Sequence, residues 1–296
     1  MQCVFASLFV FFLSFASFAQ GGELALILSD DSKPYTEFAN TLSKQLDSSA
    51  WKITRGTPNR DLNPTLIVTA GNEALRDALK LPQSAPILAT LIAHNSYDEI
   101  LAEAGQNKKR TSAIFLDQPA ERQARFLREL LPQQLTIGML FSPQTANLQS
   151  AFEQALKNNG RSLLVENIES PGGPLSALNN LLRQADVLLA IPDNAIYKRD
   201  TVKPILVTGF RYLRPIVAFS PAFVTAGAIG AIYSTPAQIA SQAATAILSR
   251  GINLASPTDP AQFSIAINPT VANSLGLSLP SESDIRRGML RGGERK

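Results

Sequence analysis

The stretch ADVLLAIPDNAIYKRDTVKPILVTGFRYLRPIVAFSPAFVTAGAIGAIYS, Ala185 to Ser234, decides the fold. It holds two apolar runs, Val187 to Ile191 and Pro215 to Phe219, each followed by a small polar or acidic group, with a helical segment between them. Strand, helix and strand in that order make a βαβ unit, and in open α/β sheets a ligand sits just beyond the carboxyl ends of such strands. Asp193, Asn194, Ser220 and Phe223 therefore fall where a ligand would be read.

The pattern extends toward the amino terminus. Glu23 to Ser29, Thr65 to Ala70, Ala85 to Leu91 and Thr111 to Leu116 are short continuous apolar runs, the look of parallel strands buried on both faces. Trp51 to Thr54 is a further strand, and its Trp51 reads as core. Pro34 to Leu46 carries Phe38, Leu42 and Leu46 at helical spacing. Ser29 and Asp30 stand at one strand end. Gly71, Asn72 and Glu73 stand at another and open the helix Ala74 to Leu79. A small turn at a helix amino terminus offers free N–H groups to a carboxylate or phosphate, while the plainer alternative makes Asn72 a helix cap.

A second set follows Gln118. Helices are predicted over Ala120 to Leu131, Asn147 to Asn158 and Leu175 to Gln184, and strands over Leu135 to Phe141 and Ser162 to Val165. Ser142 and Pro143 close the first of those strands. After the opening stretch come a strand over Ala231 to Ser234, a helix over Ala237 to Arg250 opened by Thr235-Pro236, a strand over Phe263 to Ile267 and a short helix from Pro269. The order βαβαβα thus occurs twice, and 296 residues suit two domains of roughly 150 residues each.

Composition narrows the chemistry. The chain is 45% hydrophobic and 17% charged with a formal net charge of +3. The residues from Arg286 to Lys296 carry five Arg or Lys against one Glu and are expected to be a disordered basic tail, so the charge does not imply a nucleic-acid partner. Met1 to Ala19 reads as a cleaved export signal with an apolar run over Val4 to Ala16 and Ser17-Phe18-Ala19 before the cut, although it lacks a basic start. An uncleaved anchor is the rival, and about 16 apolar residues are short for a membrane span. Cys3 is the single cysteine and His94 the single histidine. No soft or imidazole metal site, no disulfide and no cofactor is expected. Gly-x-Ser-x-Gly, Gly-x-Gly-x-x-Gly and Gly-Lys-Ser/Thr motifs are absent, which argues for a binder and against an enzyme.

From about Asp117 to Pro280 the chain resembles the ABC-transporter substrate-binding proteins of the group that includes tryptophan- and tyrosine-binding lipoproteins. The segments that carry the likeness are Ala124 to Pro132 (ARFLRELLP), Ile137 to Pro143 (IGMLFSP), Asp186 to Asn194 (DVLLAIPDN), Pro215 to Gly227 (PIVAFSPAFVTAG), the helix Gln238 to Leu248, and Ile267-Asn268-Pro269 with Leu275 to Pro280. The resemblance implies an α/β fold of two Rossmann-like lobes of parallel sheet with flanking helices, the type I periplasmic-binding-protein fold. Three hinge crossings are implied near Leu116 to Pro119, Phe219 to Phe223 and Ile265 to Asn268. Lobe 1 would take 20–116 with 222–265, and lobe 2 would take 117–221 with 266–285. By motif, Ser142, Pro143, Asp193, Asn194 and Ser220 would face the cleft. Ser29, Asp30, Gly71 and Asn72 would face them from lobe 1, and Phe223 would line an apolar wall.

The function implied is a monomeric periplasmic protein that binds a small polar or amino-acid-like molecule and delivers it to an ABC permease in the inner membrane. Asp193 would meet an amine or hydroxyl, and the backbone at Asn72 a carboxylate. The alternative keeps the fold and passes the signal to a sensor kinase or cyclase. Asn107 to Ala113 departs from the family's usual Pro-Gly-Gly-Asn-Val-Thr-Gly, and no lipidated cysteine follows the apolar start.

Overall fold

The computed structural model describes residues 21–56, 63–82, 84–105, 110–168 and 173–291. The export signal, the first part of the Asn107 to Ala113 segment and the last five residues lie outside the described residues.

The first half builds β1 (Gly22–Leu28), α1 (Lys33–Leu46), β2 (Trp51–Arg55), β3 (Leu66–Ala70), α2 (Asn72–Lys80), β4 (Ile87–Ile92), α3 (His94–Glu103) and β5 (Thr111–Phe115). The strands form one parallel sheet in the order β2-β1-β3-β4-β5. Every residue of β3 and β4 is buried, as continuous apolar strands covered on both faces should be. Side chains alternate across the sheet. Leu24, Leu26, Leu66 and Val68 pack under α1, while Ala25, Ile27 and Ile67 pack under α2 and α3.

The second half continues with α4 (Ala120–Leu130), β6 (Thr136–Phe141), α5 (Gln149–Asn158), β7 (Ser162–Asn167), α6 (Pro174–Leu182), β8 (Val187–Leu189), α7 (Val202–Arg211), β9 (Ile216–Ala218), α8 (Pro221–Ala226) and β10 (Gly230–Tyr233). Then come α9 (Pro236–Arg250), β11 (Ser264–Ile267), α10 (Pro269–Ser274) and α11 (Glu282–Arg291). The second sheet runs β11-β10-β9-β8-β6-β7 and is parallel except for the edge strand β11. Ile137, Met139 and Phe141 face α4, α5 and α11, and Leu140, Leu188 and Ile216 face α6, α7 and α8. This is the type I periplasmic-binding-protein fold of two sheet-and-helix lobes.

Two crossings lie elsewhere than expected. The first falls at 116–119, between β5 and α4. The second was expected at Phe219 to Phe223, but β10 pairs with β9 through Gly230 and Val217, and Phe223 and Val224 pack under the second sheet. The chain leaves that lobe only after Tyr233, when α9 buries Ile239, Ala243 and Ile247 against the α1 side of the first sheet. It returns after Thr258, whose backbone pairs with Ala113 and Phe115, to enter β11. The third crossing is therefore 259–263, and the block 222–265 does not belong to the first lobe as a whole.

The disordered tail is also corrected. Residues 286–291 form most of α11, and Ile285 and Met289, one turn apart, are fully buried against α4 and β11.

Candidate functional site

Parallel βα units aim the carboxyl ends of all strands at the seam between the lobes, together with the amino ends of the helices that follow. The side chains singled out from sequence do stand there, but most are engaged with the protein itself. Asp193 is 2% exposed. Its Oδ2 accepts from Thr145 Oγ1 at 2.6 Å and from Ser142 N at 3.3 Å, and its Oδ1 accepts from Ala195 N at 2.9 Å. Asp193 was expected to meet an amine; in the structure its carboxylate serves three donors of the chain itself and holds the loop after β6 against the loop after β8.

Ser29 and Ser220 do similar work. Ser29 Oγ accepts from Ala74 N at 3.0 Å, so a residue after β1 caps α2 across the sheet. Tyr35 bonds the Ser29 side chain, and burial raises its hydroxyl pKa, with the charge of Asp30 adding to the rise. Gly71 is required at this junction, since its φ is +95° and a Cβ there would stand 2.5 Å from Ser29 Oγ and 2.6 Å from the Tyr35 hydroxyl. Asn72 is the first residue of α2 and not its cap. Ser220 caps α8 by accepting from Phe223 N at 3.4 Å. Ser142 is buried and donates to Gln144 Oε1 at 2.8 Å.

Asp30, Pro143 and Asn194 remain exposed. Asp30 turns its Oδ1 back to Ser32 N at 2.7 Å, and hydrogen bonds from the Ser32 side chain first and its backbone second lower its pKa. Asn194 reaches across the seam: its Nδ2 lies 3.4 Å from Ser96 Oγ, and Asn95 Nδ2 lies 3.5 Å from Pro192 O. Phe223 is buried in an aromatic group, 4.9 Å from Phe219 and 6.0 Å from Tyr197 between ring centres. Phe219 is the half-exposed member at the seam. Tyr197 keeps its hydroxyl buried without a hydrogen-bond partner, and burial raises its pKa, with the charge of Asp193 reinforcing the effect.

The cavity on the seam is lined by residues that sequence reasoning did not select. It encloses about 250 Å³ among His94, Asp117, Gln118, Gln123, Phe152, Pro192 and Asp259 and their neighbours. His94 comes from the first lobe, Phe152 and Pro192 from the second, and Asp117 and Asp259 from the first and third crossings. The backbone N–H of His94 donates to Asp117 Oδ2 at 2.7 Å, so the crossing supplies the cap that the start of α3 lacks. The His94 ring stacks on Phe115 at 4.4 Å.

Asp117 is half-buried as a residue, but its carboxyl group is enclosed. Burial pushes the carboxyl up to about 6, with Asp259 adding to the rise and the His94 contacts opposing it. Asp259 is raised in the same direction, again by burial. Two carboxyls held above the ordinary range beside a small cavity can take a cationic or hydrogen-bond-donating group. Among the described residues no group of three or more His, Cys, Asp or Glu could hold a metal ion, and no helix is long and apolar enough to cross a membrane.

Behind the cavity the three crossings are tied together. Gln118 Nε2 donates to Ser234 Oγ at 2.9 Å, and Ser234 Oγ donates to Gln262 O at 2.6 Å. Arg122 Nη1 donates to both Gln118 Oε1 at 2.9 Å and Pro260 O at 2.8 Å. The Arg122 guanidinium also lies over the Phe263 ring, as does that of Arg286 from α11.

The fold is shared with solved structures. A conserved domain protein from Vibrio cholerae matches with a TM-score of 0.62 at 17% identity, covering 90% of this chain and 97% of its own. An ABC domain from Streptococcus pneumonia in complex with L-Trp matches with a TM-score of 0.60 at 14% identity, covering 89% and 98%. The ligand-free, open form of a substrate binding protein with adhesive properties from Clostridium difficile matches with a TM-score of 0.65 at 15% identity, covering 89% and 97%. No curated protein matches by sequence. The profile of the ABC transporter substrate binding protein family, however, matches residues 64–284, from β3 through all three crossings and the whole second sheet, and the chain belongs to that family.

Proposed function

We propose that the protein is the exported solute-binding component of an ABC-type uptake system, holding a small amino-acid-like or amine-bearing molecule between its lobes for delivery to an inner-membrane permease. Residues 1–19 would direct export and be removed. The observation that carries the proposal is the cavity of about 250 Å³ bounded by both lobes and by the first and third crossings, with the carboxyls of Asp117 and Asp259 on its wall. A volume near the lower end of ligand sites suits a molecule of amino-acid size. The amine that sequence reasoning gave to Asp193 passes to Asp117 and Asp259. Asn72, Asn95 and Asn194 stand at the seam, and Phe219 with Phe223 supplies an apolar wall. Closing a ligand between lobes that touch at Asn194 and Ser96 is the hinge motion of such folds.

Titration calorimetry of the purified protein against amino acids, amines and their acylated derivatives tests the assignment. Heat is expected with a compound bearing a free amine, and Asp117→Asn is expected to weaken it by at least tenfold, about 1.4 kcal/mol. Binding of uncharged solutes alone, or full affinity in the variant, would remove the carboxyl pair from the site.

A further inference from the structure

A second surface lies on the opposite pole of the second lobe. α7 starts beside the seam and ends at the edge where β6, β8 and β9 begin, so its last turn points away from the cavity. Lys203, Val207, Phe210 and Arg211 are exposed at helical spacing on one stripe. Val207 is 50% exposed, Phe210 52% and Leu213, just past the helix, 63%. Leu135 belongs to the same patch. Its N–H and the Arg214 guanidinium both meet the Asp186 carboxylate.

Leu213 is the informative residue. Arg214 N donates to Gly209 O at 2.9 Å and Leu213 N to Phe210 O at 3.0 Å, which closes α7 in a Schellman turn. The residue at that turn has a φ of +54°, where glycine or asparagine is the ordinary choice. A leucine there strains the backbone and gains no burial. Neither local conformation nor packing accounts for it, which points to a role in contact with something outside the chain.

Charge identifies the kind of partner. The face carries Lys203, Arg211 and Arg214 against Asp186, three cations less one anion, or +2. Among the described residues only Arg214 of these three makes an ion pair. Two copies of this face would repel each other. A convex helix stripe with apolar side chains at its centre and long cationic ones beside it matches the boundary between anionic headgroups and acyl chains. We propose that this face of α7 rests on an anionic phospholipid surface, with Phe210 and Leu213 entering the headgroup boundary and the cleft left free on the opposite side.

Flotation of the full chain with vesicles tests this, using phosphatidylglycerol mixed with phosphatidylcholine and phosphatidylcholine alone. The comparison is with the variant Val207→Ser, Phe210→Ser, Leu213→Gly, whose N-terminal apolar run is unchanged, so any difference belongs to α7. The bound fraction on anionic vesicles should fall roughly tenfold in the variant and fall on adding salt in the natural protein. In a separate Phe210→Trp variant, emission should shift to the blue on anionic vesicles, with the single natural Trp51 as a buried constant. Equal binding by the triple variant, or equal binding to neutral and anionic vesicles, overturns the proposal. So does a natural protein that sediments as a dimer while the variant is monomeric, which would make the face a self-contact. Melting of each variant confirms that it is folded.

Discussion

Gln118 and Ser234, 116 residues apart in sequence, are joined by a 2.9 Å hydrogen bond at the point where the first and second crossings pass each other. Ser234 Oγ then donates to the carbonyl of Gln262 in the third crossing, so one hydroxyl links all three strands of the hinge. Both Gln118 and Ser234 are buried. Ser234→Ala would remove the acceptor of the Gln118 amide and the donor to the Gln262 carbonyl together. A loss of about 2 kcal/mol is expected in urea unfolding. A change under about 0.5 kcal/mol, ordinary for a surface site, would show that the link does not hold the hinge.

Asp193 should behave as a structural carboxylate. Asp193→Ala removes the acceptor shared by Thr145, Ser142 and Ala195, three donors that face one buried group. Stability should fall by about 3 kcal/mol, the upper part of the range for charge-assisted bonds to a buried group. Thr145→Val, which deletes one donor and keeps the shape, should cost about a third to a half as much. If Asp193→Ala abolished ligand binding with no change in unfolding, the carboxylate would be a ligand contact after all.

Gly71→Ala tests the junction of β1, β3 and α2. The added Cβ meets Ser29 Oγ and the Tyr35 hydroxyl well inside contact distance, and the backbone there has φ +95°. Both effects act together, and a loss of roughly 2–3 kcal/mol is expected. Tyr35→Phe in the same background would relieve part of the crowding. A Gly71→Ala protein as stable as the natural one would mean that α2 can pivot freely on the sheet.

The contrast between these sites and the strands shows what the sequence could reveal. LIVTA and ILATLI announce themselves because a strand covered on both faces must be apolar at every position. The two-lobed fold follows from counting such runs and the helices between them. Helix α3 was harder to see: it buries only Ser96, Tyr97 and Ile100, and its capping oxygen comes from Asp117, 23 residues downstream. The same cause hid the site. An acid after a strand looks alike whether it faces a ligand or a loop, and the Thr145 hydroxyl and Ser142 N–H that occupy Asp193 come from 48 and 51 residues earlier. Asp117 gives no such signal either, because its enclosure is made by α3 and the third crossing. In α11 the run of arginines suggested a solvated tail, while the Ile285 and Met289 pair, four residues apart, was the signal of a packed face.

Met289→Ala measures that packing. Met289 is fully buried among α4, β11 and its own helix, and Gly288 beside it lies so close to Glu129 of α4 that no side chain fits without movement. A loss of about 2–3 kcal/mol is expected from the cavity and the lost burial. Arg286→Ala, which lifts one cation from the Phe263 ring, should cost about 0.5–1 kcal/mol. If removing residues 282–296 left the melting temperature unchanged, α11 would not be part of the second lobe.

The carboxyl of Asp117 gives the protein a pH dependence with a definite sign. Its pKa is raised by burial to about 6 in the folded state. The same carboxyl in the unfolded chain titrates near ~3.9. Between these values the folded protein keeps a proton that the unfolded chain has released, so stability falls as pH rises from about 4 to about 6 and levels off above. Asp259, also raised, adds to the slope in the same sense. Asp117→Asn removes the proton and should flatten this part of the profile, by up to about 1.4 kcal/mol per pH unit where one whole proton separates the two states. Other carboxylates titrate in the same range, so the quantity to follow is the difference in urea midpoint between the two proteins from pH 4 to 7. A constant difference across that range would mean that Asp117 is charged at pH 5, and that the hinge cavity offers a cationic ligand a full carboxylate before any ligand arrives.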